Sequence, residues 1–329
     1  MIYDDNVYQD RLRVIQLKTV NLSLNRIDMG KVSGFLHFTK MFPTEQSCID
    51  YFEKLRWKDG VVSPFDSTSK VYKCSNGKYR CSKTGKYFDV KTGSVFANTK
   101  LPMNYWFYAM FLFLSHKRGV SSCQLARDLG VTQKKAWNML HKIRQYMDVL
   151  NESDLEKEVE IDETFVGGKN KNRHKDKKVE KCQGRSFKDK VPVFGMYQRG
   201  GKLVAKTVPD TKSTTLAPLI KDYIKKGSTV FTDGWEYGTL RKDYVQHSVD
   251  HGTGFYGTTI VDKDTGEVTN VCTNSIENVW SHFKRMIFGT YYRVSKQHLQ
   301  RYVDEFTFRF NTRNDSDIQR FDLLLCNVA

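Results

Sequence analysis

The chain has no run of 18 apolar residues, so nothing in it reads as a transmembrane helix. Its most apolar segment, Tyr105-Trp-Phe-Tyr-Ala-Met-Phe-Leu-Phe-Leu114, is too short to span a bilayer and runs into Ser115-His-Lys-Arg118. That pattern predicts a buried core helix. The start, Met1-Ile-Tyr-Asp-Asp-Asn6, lacks the charged-then-apolar pattern of a secretion signal. Cysteine is sparse: seven residues (48, 74, 81, 123, 182, 272 and 326), odd in number and without a regular spacing. This argues against a disulfide scaffold and predicts reduced thiols in the cytoplasm. Acidic charge is in deficit, since 37 Asp and Glu face 53 Lys and Arg, leaving a net +16 and a pI near 9.4. Such a surplus predicts an anionic partner, nucleic acid first, while the lack of a spanning run predicts no membrane partner. What is present, 39% hydrophobic residues with 13% aromatics over 329 positions, is enough for two or three folded domains.

Residues 1–58 form an N-terminal segment. Its first 40 residues are mixed in pattern, but Thr44-Glu-Gln-Ser-Cys-Ile-Asp-Tyr-Phe-Glu-Lys-Leu55 reads as an amphipathic helix capped by Thr44 or a neighbour. Residues 59–100 carry short alternating runs, Lys70-Val-Tyr-Lys-Cys74 and Lys78-Tyr-Arg-Cys81, which predict a small antiparallel β module. Within 101–150 the aromatic helix is followed by Ser122 to Leu140, a helix, tight turn and helix. Ala126 is small where the helices would cross, Gly130 sits at the turn, and Thr132 caps the second helix. An ordinary helical pair shows the same features. A DNA-binding helix-turn-helix is the expectation, with Gln133, Lys134 and Lys135 at the start of the second helix meeting DNA.

Residues 151–158 are acidic and read as a linker to a domain spanning 159–329. Strands are predicted at 159–164, 191–198 and 202–209. A helix follows, with Leu216, Leu219, Ile220, Tyr223 and Ile224 on one face, then strands at 228–232 and 244–249 and helices near 275–287 and 296–312. Three meandering strands, then helix and strand, make an α/β domain whose mixed sheet resembles the ribonuclease H architecture. Two predicted strands end at carboxylates, Asp162 in Val159-Glu-Ile-Asp-Glu-Thr164 and Asp233 in Ser228-Thr-Val-Phe-Thr-Asp-Gly234. A third carboxylate, Glu277, lies early in a helix-patterned stretch, Asn274-Ser-Ile-Glu-Asn-Val-Trp280. Carboxylates so placed suit two hard cations that activate an attacking oxygen and stabilise a leaving one. Glu163 follows Asp162 on the strand and is expected to face the other way. Between the first two strands, residues 169–190 carry ten Lys or Arg against three acidic residues. As a polar loop it is either simply solvated or tracks phosphates, and Lys169, Lys171, Arg173, Lys175, Lys177 and Lys178 are the candidates for the second role.

Residues 40 to 313 are similar to the ISXO-type insertion-sequence transposases, bacterial relatives of Merlin transposons. The similarity is carried by segments in order: Arg56-Trp-Lys-Asp-Gly60, Lys91-Thr-Gly-Ser-Val-Phe96, the helix pair, Ile161-Asp-Glu-Thr-Phe-Val-Gly-Gly-Lys169, Thr232-Asp-Gly234 and Asn274-Ser-Ile-Glu277. Further along come Lys284-Arg285, Gly289-Thr-Tyr291, Val294-Ser-Lys-Gln-His-Leu-Gln-Arg-Tyr302, Asp304-Glu-Phe306 and Arg309-Phe-Asn-Thr-Arg313. The resemblance implies a ribonuclease H-like catalytic domain with an Asp-Asp-Glu or Asp-Asp-Asn triad and magnesium or manganese, two ions in number. The triad falls on Asp162, Asp233 and Glu277, with Asn274, one turn before Glu277, competing for the third place. His251 matches a histidine near such sites, where a positioning and a purely structural role are both open. Lys284, two helical turns after Glu277 on the same face, is expected to contact substrate phosphate or base near the scissile bond, and its neighbour Arg285 is a further candidate for DNA binding.

The activity implied is binding of an element's terminal inverted repeats, cleavage at the 3′ ends and joining to target DNA by a multimer. The setting implied is the cytoplasm and nucleoid of a bacterial host. The chain departs from many such relatives in one respect. Where they carry two Cys-x-x-Cys pairs of a zinc ribbon, it has Ser63-Pro-Phe-Asp66 and Cys81-Ser-Lys-Thr84. The expectation is a degenerate ribbon without zinc, held by packing of Tyr72, Tyr79, Tyr87 and Phe88. A DNA-binding descendant that has lost catalysis is the competing expectation, and a structure-specific nuclease a third.

Overall fold

A computed structural model describes residues 34–148, 154–167, 174–178, 190–233, 238–249, 258–261 and 268–328. Packing divides the chain into two compact units. The first takes the described residues of Met1–His116, Ser122–Val149 and Asp315–Ala329, and the second those of Lys117–Ser121 and Leu150–Asn314. No helix among the described residues is long and apolar enough to cross a membrane.

The first unit is built on aromatic packing. Helix α1 (Phe35–Met41) and helix α2 (Glu45–Arg56) precede the β module. Thr44 caps α2 in a capping box with Ser47, which ties down backbone N–H groups that a helix start leaves unpaired. Helix α3 (Met103–Ser115) is the apolar segment, buried almost all round through Met103, Trp106, Phe107 and Ala109–Leu114. Strands β1 (Val71–Lys73), β2 (Tyr79–Cys81) and β3 (Tyr87–Phe88) form an antiparallel sheet in that order. Its packed face carries Tyr79 stacked on Phe88, with Trp57 edge-on at 4.9 Å from Tyr79. Tyr72 and Tyr87, expected in that packing, are each 57% exposed. The reason is strand alternation: Tyr72, Arg80 and Tyr87 are cross-strand partners on the opposite face.

Helix α4 (Ser122–Leu129) ends at Gly130, whose φ of +64° suits glycine. The Val131 N–H returns to the Ala126 carbonyl and the Gly130 N–H to the Arg127 carbonyl, a Schellman ending. Helix α5 (Gln133–Arg144) then starts at Thr132, whose side chain accepts from the Lys135 N–H.

In the second unit, strands β4 (Glu158–Val166), β5 (Val191–Gln198) and β6 (Leu203–Thr207) form an antiparallel meander. Helix α6 (Ser213–Tyr223) follows, then β7 (Thr229–Asp233) and β8 (Val245–Val249), which join the sheet in parallel. The order is β6-β5-β4-β7-β8. This mixed five-stranded sheet is compatible with a ribonuclease H-like domain. One face packs on α6 through Ile161, Phe194, Met196 and Leu216. The other packs on α7 (Asn274–Met286) and α8 (Leu299–Asn311) through Val193, Tyr197, Ile276, Trp280 and Phe283. A two-stranded antiparallel ladder, β9 (Thr258–Val261) with β10 (Val268–Val271), precedes α7 and has no counterpart in the sequence expectations.

Two interactions seat α7. Gly195 on β5 has no side chain, and a Cβ there would drive into the Trp280 ring. The start of α7 has no cap from its own Thr273 side chain. Glu160, on β4 and fully buried, supplies it: its Oε2 accepts the Ile276 N–H at 2.9 Å. Its Oε1 accepts from Arg199 Nε at 2.7 Å. The Arg199 guanidinium also donates to the Asn270 and Cys272 carbonyls and lies 4.0 Å from the Phe231 ring centre. Burial works against the Arg199 charge. The hydrogen bond and charge of Glu160, with Glu158 and Cys272 behind them, outweigh that and leave its pKa raised.

The sequence assigns residues 159–329 to one domain, but the last helix, α9 (Asp317–Asn327), packs in the first unit. Its Phe321 sits 4.8 Å from Phe38 and 5.2 Å from Phe107, ring centre to ring centre. The apolar face of Phe321, Leu324 and Leu325 is buried, and the aromatic core of the first unit is what covers it. Asp322, on the same helix, accepts the Tyr51 hydroxyl at 2.7 Å. Burial pushes its carboxyl from 3.8 up to about 6, although the Tyr51 hydrogen bond works the other way.

Two stability predictions follow. Removing one partner of a buried ion pair leaves the other charge desolvated. Glu160→Ala should therefore lower the unfolding free energy by roughly 3–5 kcal/mol, and adding Arg199→Leu should recover part of it, read by urea denaturation. For Asp322 the folded pKa lies above the unfolded value, so ionisation costs stability, and that cost grows as pH rises from about 4 through 6. Asp322→Asn should stabilise the protein at pH 7 by up to roughly 3 kcal/mol, and the gain should vanish at pH 4 in the same assay.

Candidate active site

The pairing of β4 with β7 brings the first two carboxylates together. In parallel register Ile161 lies beside Thr232, and that is the last pair of the ladder. Asp162 and Asp233 are the next residues on their strands and share one face, just where the two strands separate. It is the face that carries Glu160 and Phe231, and α7 packs over it. On α7 the third carboxylate, Glu277, projects from the first turn. The Glu160 contact to Ile276, the residue before Glu277, holds that turn against β4.

These side chains line one cleft of about 780 Å³ at the end of the sheet: Asp162, Asp233 and Glu277 with Lys190, Lys284 and Arg285. Glu163, Thr164, Phe165, Trp280, Ser281 and Phe288 complete the wall. Glu163, expected to face away, reaches the rim from the other side of β4. Asn274, the competitor of Glu277, is the exposed first residue of α7 and is not among the lining residues. Among the described residues no three carboxylate, thiol or imidazole groups close on a single point. The carboxylates border a shared space and do not form a finished cage.

Lys284 and Arg285 reach this cleft from the last turn of α7, and Lys190 reaches it from the end of the basic stretch. Lys175 and Lys178 are exposed around a short 3-10 turn, Lys175–Lys177. Lys169, Lys171, Arg173 and His251 lie outside the described residues. In the first unit Gln133, Lys134 and Lys135 are exposed at the start of α5, with Gln133 hydrogen-bonded to the Ser122 hydroxyl at 2.8 Å. Glu160 and Arg199 are the residues that sequence reasoning passed over. The available signal was an acidic residue between Val159 and Ile161, both of which face the core.

Comparison with known proteins identifies relatives of the chain. Residues 154–311 match the model of the ISXO2-like transposase domain. A protein of Halobacterium salinarum, described as an uncharacterized protein in transposable element ISH50, is 26% identical over 284 residues. That alignment covers 82% of this chain and 92% of the relative. An uncharacterized transposase-like protein of Haemophilus influenzae is 31% identical over 112 residues, 33% of this chain and 81% of the relative. The chain belongs to the ISXO2-like transposase family.

Proposed function

We propose that the protein is an active DNA transposase that binds the terminal inverted repeats of its element, cleaves at the 3′ ends and joins them to target DNA. The observation that supports this most is the single cleft bordered by Asp162, Asp233 and Glu277 with three cations on its wall. Three carboxylates are the hard oxygen donors that divalent magnesium or manganese takes, and magnesium keeps several of its own waters, so a bordered space serves better than a closed cage. Thr164 Oγ1, an oxygen on the same wall, is buried without a hydrogen-bond partner among the described residues. The donor set thus fits a pair of such ions, held by Asp162, Asp233 and Glu277. Bound there, they would supply Lewis-acid activation of the attacking oxygen and neutralise charge on the leaving one.

The protein's own groups do the rest. Lys190, Lys284 and Arg285 attract and orient the phosphodiester, and the seated α7 keeps Glu277 at a set distance from β4. The exposed Gln133, Lys134 and Lys135 act as the duplex-reading side chains of a helix-turn-helix. Lys175 and Lys178, with the rest of the basic stretch, track phosphates. Joining two element ends calls for a multimer, and the protein would work in the cytoplasm on nucleoid DNA.

The β module in this reading needs no zinc. The hydroxyls of Ser63, Ser69 and Thr84 surround the buried Cys81 sulfur and lower its pKa to about 6. Asp66, at another of the ligand positions, pairs with Lys83 at 3.2 Å. Hydroxyls surround this sulfur at a position where the resemblance implies a zinc ligand in many relatives. Metal analysis of the purified protein should find no stoichiometric zinc, and chelator should leave its thermal midpoint unchanged; one zinc per chain would contradict the assignment.

The central test is strand cleavage and joining on a duplex carrying the element's ends, with magnesium or manganese. Asp162→Ala and Asp233→Ala should each reduce both steps roughly a thousandfold or more, with DNA affinity within about threefold of the parent by gel shift. Glu277→Ala should match them and Asn274→Ala should not. Wild-type cleavage by both Asp variants would overturn the catalytic reading. Specific binding without cleavage by the parent itself would point to a DNA-binding descendant.

A further inference from the structure

Helix α7 does not end cleanly at Met286. It runs into a π-helical turn, Ile287–Tyr291, and then a tight turn centred on Tyr292. The Arg293 N–H bonds back to the Tyr291 carbonyl at 2.6 Å, and Tyr292 has φ +62° and ψ −58°. This is the rare, strained form of γ-turn, here built on a bulky residue instead of glycine.

Its surroundings hold it in place. The Tyr291 hydroxyl donates to Glu305 at 2.5 Å, and Glu305, fully buried, also accepts from Arg309 at 3.0 and 3.1 Å. The Tyr291 ring is edge-on to Tyr302 at 4.8 Å, and the Gly119 backbone comes so close that a Cβ there would strike the Tyr291 hydroxyl. With Tyr291 fixed inward, the turn sends Tyr292 outward, where it is 84% exposed. Phe288, four residues earlier, is 51% exposed and lines the carboxylate cleft beside Lys284 and Arg285. A strained backbone that displays an aromatic ring to solvent gains nothing in packing. Strain of this kind persists where a functional geometry demands it.

The charge around these rings selects the occupant. From Asn278 to Gln300 there is no acidic residue, and Lys284, Arg285, Arg293 and Lys296 are all cationic. Flat aromatic faces interleaved with cations are what an unpaired stretch of nucleic acid needs, a surface for the base and counter-charge for its phosphates. Bases inside a duplex are already stacked on their neighbours and cannot use such a surface. We propose that Phe288 and Tyr292 form a stacking platform for an unpaired nucleobase of the DNA strand next to the scissile phosphate. This rests on reading the cleft as a DNA-cleaving site.

The test compares two probes on the full-length protein without metal: a blunt duplex, and the same duplex with a short single-stranded tail carrying one 5-iodouracil. Illumination should crosslink the tail to Phe288 or Tyr292, located by peptide mass spectrometry. A variant carrying Phe288→Ala and Tyr292→Gly should bind the tailed duplex roughly tenfold or more weakly, with blunt-duplex affinity and its salt dependence unchanged. Glycine suits the positive φ, so Tyr292→Gly alone should raise the thermal midpoint, and loss of tail binding then cannot be ascribed to misfolding. Equal affinity of parent and double variant for the tailed duplex, or crosslinks only to other residues, would overturn the platform alone. Failure of the parent to bind either probe would overturn the DNA-cleaving reading and the platform with it.

Discussion

The buried pair of Glu160 and Arg199 is the interaction on which the rest of the second unit depends. Glu160 stands in the central strand with no exposed surface, where an unpaired carboxylate would be prohibitively costly. One of its oxygens is occupied by the Arg199 guanidinium and the other by the first turn of α7. Arg199 reaches on to the carbonyls of Asn270 and Cys272, the stretch that leads into α7. Strand, following loop and helix start are therefore tied through one carboxylate. Were α7 to shift along the sheet, a buried charge would lose a partner, so its position is set by electrostatics as well as by apolar packing.

That seating is what brings three carboxylates to the border of one cleft. Asp162 and Asp233 are brought together by backbone register alone, because parallel pairing of β4 and β7 stops one residue before them. Glu277 comes from a different element and depends on the depth to which α7 sinks onto the sheet. Gly195 permits that depth by yielding its side-chain space to Trp280, one turn after Glu277. Repulsion among three carboxylates is offset on the cleft wall by Lys190, Lys284 and Arg285. The same helix then passes into the π-turn and the strained turn at Tyr292, so the geometry at both ends of α7 is held by buried glutamates, Glu160 at the start and Glu305 beyond the end.

Much of this was legible in the chain. Strand periodicity and β-branched content located β4, β5, β7 and β8 to within one or two residues, and the capping residues Thr44 and Thr132 marked helix starts that the structure keeps. The misses share a cause. Glu160 looked like any charged residue in a strand, since its role needs Arg199 and Ile276, 39 and 116 positions away. The placement of α9 turned on which of two cores would cover Phe321, Leu324 and Leu325, and local pattern does not say. Tyr72 and Tyr87 look like core residues by type, but cross-strand pairing puts them on the open face.

By itself, then, the sequence determined most of the elements, the basic balance of charge and the three candidate carboxylates, because each is written in local spacing, composition or a short segment. Only the tertiary structure decided that Asp162, Asp233 and Glu277 share one cleft while Asn274 stands outside its wall. It also decided that the chain's last helix returns to the first unit and that Tyr292 is held out to solvent by a strained turn. Those outcomes depend on contacts between residues far apart in sequence, where burial of charge and competition for apolar surface select one arrangement among several that the local pattern allows.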